Sequence, residues 1–111
     1  MTEALRDLIR DDGARLIGPI RQEILSGIRE PAQFARLQQY LRAFEDEPLE
    51  TEDFERAARC SNQCRARGIS GSGTDFLMCA VAIQGGWQVF TADNDFQAYT
   101  RALALVLFQP R

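Results

Sequence analysis

The stretch WQVFTADNDF, residues 87–96, joins a compact apolar run to two carboxylates two residues apart. WQVF reads as a strand, because short β-branched and aromatic runs next to turn residues pack into buried sheets. TADNDF then ends it. Asp93 and Asp95 suit a turn, since Asp-Asn-Asp bonds readily to its own backbone. They also suit a cation, because magnesium-like ions take hard oxygen ligands from a few carboxylates. An EF-hand is excluded: a calcium loop starting at Asp93 needs glycine and glutamate where Ala98 and Ala104 stand.

Upstream, from Asp75 the chain reads DFLMCAVAIQ (residues 75–84), apolar nearly all round, and this is a buried helix by its pattern. Thr74 is its expected N-cap, and Asp75 complements its dipole. Gly85-Gly86 closes it. Farther back, TEDFERAARCSNQCRARG reads as a helix capped by Thr51 and ended at Gly68, with Glu52 and Asp53 in its first turn. Pro31 opens a helix carrying Phe34, Leu37, Gln38 and Leu41, and Leu49 follows it in a very short edge strand. Pro19 opens another helix, on which Ile20, Glu23, Ile24 and Gly27 share a face. ARLIG before it is a brief strand. Leu5, Leu8 and Ile9 are spaced for an amphipathic helix stopping at Asp11-Asp12-Gly13. At the other end ALALVLF, residues 102–108, reads as a final buried strand.

Helices alternating with short apolar strands predict an α/β sandwich around a mostly parallel sheet. Ligands of such sheets collect at the carboxyl ends of the strands, where Asp93 lies. At 111 residues the chain makes one domain with an adequate core. The charged N-terminus MTEALRDLIRDDG does not read as a secretory signal and no apolar segment spans a bilayer, so the expected compartment is the cytoplasm. Three cysteines without any histidine exclude an imidazole zinc site and make a poor disulfide framework. Cys60 and Cys64 read as buried small hydrophobes. With net charge -3, RNA contact needs a local patch, although all 13 basic residues are arginine.

The order EILSG (residues 23–27), TD (74–75) and TADNDF (91–96), with GPIRQEILSGIRE, PLETEDFERAA and RARGISGSGTD around them, resembles the PIN-domain ribonucleases. The likeness is to the VapC-type toxins of toxin–antitoxin pairs and covers roughly residues 4–108. It implies a single PIN-like domain over residues 1–111, holding Mg2+ or Mn2+ on carboxylates. Asp75 and Asp93 are its expected direct ligands. Glu23 acts directly or through water, and Asp95 helps a second ion. Thr91 and Thr74 support the site, and Arg21 is the expected RNA contact. RNA, an antitoxin protein and a second copy of the chain are the implied partners. The family's first acid, at the end of an N-terminal strand in the middle of the sheet, has no counterpart here, which lowers the expected activity. The strand itself is missing too, and unpaired central backbone groups cost on the order of 1–3 kcal/mol each, so three resolutions stay open: a start farther upstream, another segment or a second copy filling the gap, or a decayed fold used for binding only. Three readings stay open: a metal-dependent endoribonuclease, a non-catalytic PIN-like interaction protein, and an α/β domain whose acids are caps and turns.

Overall fold

A computed structural model describes residues 6–10 and 13–109. In chain order the elements are β1 (Arg6–Arg10), β2 (Gly13–Leu16), α1 (Gly18–Ser26), α2 (Pro31–Leu41), β3 (Glu45–Asp46), α3 (Thr51–Ala66), α4 (Gly73–Gly85), β4 (Gln88–Thr91) and α5 (Asp95–Tyr99). The strands form one sheet in the order β3-β2-β1-β4. β2 and β3 pair in parallel, while β1 runs antiparallel to both β2 and β4. Hence β2, β3 and β4 point one way, and Leu107 adds a parallel bridge to Val89. The sheet is mostly parallel, as expected, with one strand against the grain.

That strand corrects the helical reading of the N-terminal segment (Leu5, Asp11 and Asp12 lie outside the described residues). Leu8 and Ile9 fit a helical spacing, but RDLIR also alternates. Arg6, Leu8 and Arg10 fall on one face, Asp7 and Ile9 on the other. Tertiary context decides between the periods. Between β2 and β4 the segment satisfies both neighbours' backbone groups, and Leu8 buries completely opposite Val89. The central place that the sequence resemblance leaves open is thus taken by this chain's own residues.

α4 is the spine of the core. Phe76 through Ala82 are buried, so the helix is covered on all sides, with α3 along one flank and β4 and α1 also against it. Its N-cap is Ser72, whose hydroxyl accepts from the Asp75 amide at 3.1 Å; Thr74 lies inside the first turn. Gly86 ends it at φ 70°, a left-handed conformation that glycine adopts without Cβ strain. α3 is likewise capped one residue earlier than its sequence suggests, by a reciprocal box between Glu50 and Asp53. The short edge strand falls at Glu45–Asp46, ahead of Leu49.

ALALVLF differs from its expected form. Leu103 and Leu105 are buried and Ala104 and Val106 are exposed, which is strand-like alternation. The pairing, however, is a single bridge, with Val89 N–H donating to Val106 O and Phe108 N–H to Val89 O. An outer position with one face in solvent does not demand a full ladder. Cys60, Cys64 and Cys79 are all buried and free, as small hydrophobes in the core. None of the described helices is long and apolar enough to cross a membrane.

Candidate metal centre

β4 ends at Thr91, and the next residues turn back toward the first turn of α4. The turn is built by its own polar groups. Thr91 Oγ1 accepts from the Asp93 amide at 3.0 Å, and Asp93 Oδ1 accepts from the Asp95 amide at 2.9 Å. Asp93 and Asp95 therefore do punctuate a turn. The same turn carries their carboxylates to Asp75: one oxygen from each of the three acids lies within 4.8 Å of the others. The turn that these groups build thus also gathers three hard-oxygen donors.

The environment is graded. Asp75 is buried, Asp93 half-buried and Asp95 exposed. Tyr99, fully buried on α5, donates its hydroxyl to Asp75 Oδ2 at 2.8 Å. Its ring packs between Phe76 and Phe96, with centroids 5.1 and 5.0 Å away. Burial pushes the Asp75 carboxyl above its usual range. The Tyr99 bond and the Arg6 charge oppose that rise, while Asp93 and Glu23 add to it. Burial, and then the bond to Asp75, push the Tyr99 phenol upward, so it stays a donor.

Arg6 is a member that sequence reasoning missed. On β1 it stands opposite Thr91. Its Nε lies 3.4 Å from Asp75 Oδ1 and its Nη2 3.5 Å from Glu23 Oε2. Glu23 comes to Asp75 through this guanidinium and stands outside the group of three. Tyr99 and Ser72 were missed as well. The one legible signal for Arg6 was the R-D-L-I-R alternation, which places it on the Leu8 face.

Of the remaining expected residues, Thr74 is half-buried in the first turn of α4. Arg21 is spent on the fold. Its Nη1 donates to Leu41 O at 2.9 Å, its Nη2 to Phe44 O at 2.7 Å, and its Nε to Asp46 Oδ1 at 3.0 Å. It ties the end of α2 to β3.

Carboxylates from the end of a strand and the start of a buried helix form the motif-bearing centre, and the model of the PIN domain family matches residues 1–102. The chain belongs to the PIN domain family. No curated protein matches it. PIN domains are nuclease-like and generally use divalent metal ions, and the PIN acids here fit such an ion by one independent observation. Asp75 Oδ1 is buried without a hydrogen-bond partner among the described residues, beside two further acids with hard oxygens.

Proposed function

We propose that this PIN domain is a metal-dependent endoribonuclease of the VapC type, a toxin held in check by an antitoxin protein that covers the acidic site. The observation that carries the reading is the convergence of Asp75, Asp93 and Asp95 within 4.8 Å. Asp75 and Asp93 would hold Mg2+ or Mn2+, with Asp95 at the open rim and Glu23 beside Arg6. The ion, when bound, lowers the pKa of a water and offsets charge on the scissile phosphate.

The chain's own groups do the rest. Tyr99 fixes the rotamer of Asp75 through Oδ2, leaving Oδ1 as the oxygen directed to a cation. Thr91 sets the Asp93 turn through the backbone amide, and its hydroxyl hydrogen is still available to orient a water. Asp95, exposed, faces the solvent side from which an RNA phosphate would approach. The VapC assignment, the antitoxin and a second copy as partner rest on the order of the EILSG, TD and TADNDF motifs.

One observation favours a second reading. Arg6 already pairs with Asp75 and Glu23, which suits a PIN-like interaction protein that oligomerises or binds an antitoxin without cutting RNA. Incubating the protein with a structured RNA pool separates the two. Cleavage that requires manganese, stops with chelator and is lost in Asp75→Asn is the expected result. A folded protein that leaves every RNA intact with manganese or magnesium would overturn the nuclease reading and leave the interaction reading.

A further inference from the structure

We infer that Arg6 is an internal cationic plug: its guanidinium and a divalent ion compete for Asp75 and Glu23, so the metal site is latent until the first residue of β1 lets go. The inference rests on the metal-binding reading above and adds to it a named control element within the chain.

Three observations carry it. Both oxygens of Asp75 are engaged, Oδ2 by the Tyr99 hydroxyl and Oδ1 by the Arg6 charge. An ion that uses Oδ1 therefore has to move Arg6. Second, the plug is held loosely for an arginine whose side chain is only 12% exposed. Its ion pairs at 3.4 and 3.5 Å are longer than charge-assisted hydrogen bonds of about 2.7–2.9 Å. Arg6 Nε and Nη1 and Asp75 Oδ1 are buried with no hydrogen-bond partner among the described residues. A guanidinium that matched its carboxylates would place parallel N–H donors on them, and this one does not. Third, Arg6 stands opposite Thr91, whose hydroxyl accepts from the Asp93 amide, so the plug lies beside the turn that carries the other acids.

Charge supplies the reason for a plug. Without a cation, Glu23, Asp75, Asp93 and Asp95 would crowd like charges around a buried carboxylate, which is unfavourable. Arg6 supplies one positive charge from within the chain. The apparent affinity for an ion is then the intrinsic affinity reduced by the fraction of molecules in which Arg6 is out.

The test is calorimetric titration of manganese into metal-stripped protein, comparing wild type with Arg6→Gln, Arg6→Met and Arg6→Lys. The Gln and Met variants should bind about tenfold tighter or more, the Lys variant should stay near wild type, and Asp75→Asn added to Arg6→Gln should remove the gain. Equal or weaker binding in both neutral variants overturns the plug while leaving the metal site standing. A Lys variant that gains as much as Gln also overturns it, since the charge would then be irrelevant. If no variant binds manganese, plug and metal site fail together. A second measurement needs no substitution. On magnesium titration of the wild type, the Arg6 Nε–H resonance should shift together with the Asp93 amide; an Arg6 signal that stays fixed while Asp93 saturates overturns the inference.

Discussion

The Tyr99 hydroxyl lies 2.8 Å from Asp75 Oδ2 and donates to it, joining the last turn of α5 to the first turn of α4 at the acidic centre. The bond orients a buried carboxylate that would otherwise be short of partners. Tyr99→Phe removes the donor and strands the oxygen. The expected cost is about 1–3 kcal/mol of stability, read from denaturant unfolding. An unchanged midpoint would mean that Asp75 finds another donor.

Gly71 protects the same bond. A Cβ at that position would come within 2.8 Å of two ring carbons of Tyr99, whose ring is fixed between Phe76 and Phe96 and cannot swing away freely. Gly71→Ala should therefore destabilise by about 1–3 kcal/mol, the range for overpacking. In the Tyr99→Phe background the penalty should shrink, because the hydroxyl that it meets most closely is gone. A double-mutant cycle measures this, and strict additivity would refute it.

Metal dependence should appear as stability before it appears as catalysis. Binding only to the folded state at a hundredfold excess over Kd adds about 2.7 kcal/mol. Manganese should raise the Tm of the wild type, and Asp75→Asn should abolish the rise. Asp95→Asn should reduce it less, since Asp95 is the exposed member of the three. No manganese shift in the wild type would count against the site.

Asp7 gives a pH signature independent of the cluster. It lies on the β1 face opposite Arg6, is buried, and has its carboxyl pushed up to about 6 by that burial, partly offset by a bond to its own backbone. The folded state thus holds the proton more tightly than the unfolded chain, so ionising Asp7 costs stability as pH rises from about 4 to about 6. Above that window the penalty is complete, on the order of 2–3 kcal/mol. Asp7→Asn should gain that amount relative to wild type at neutral pH and lose the advantage below about pH 4. Melting both proteins across pH isolates the effect, and a difference independent of pH would refute it.

Arg21 tests the boundary between fold and function. Its three donors hold Leu41, Phe44 and Asp46. Arg21→Met should lower stability by about 1–3 kcal/mol by removing the guanidinium from Phe44 O and leaving Leu41 O with only the Phe44 amide. Weaker RNA binding with unaltered stability would support the reading of Arg21 as an RNA contact.

Much of the architecture was legible locally. Pro19 and Pro31 sit at helix starts, the apolar run after Asp75 is a buried helix, and Gly68 and Gly86 take the left-handed conformation just past helix ends. The pairing of Asp75 with Asp93 and Asp95 could be anticipated because each acid occupies a terminus whose direction the sheet topology fixes. Capping was less legible. Ser72 and Glu50 took the roles expected of Thr74 and Thr51, since neighbouring oxygens compete for the same amides at a scale of about 1 kcal/mol.

By itself the sequence determined the element types that follow from period and punctuation, and the acids that could meet. Tertiary structure decided what no local pattern holds. It made RDLIR a central strand, because a sheet with an open middle needs those backbone groups paired. Through that strand's direction it set Arg6 against Asp75 and Glu23, and it bound Arg21 to the end of α2. The physical reason is common to these cases. A residue five places from a terminus carries no information about a partner about seventy residues away until long-range burial and backbone pairing fix the strand between them.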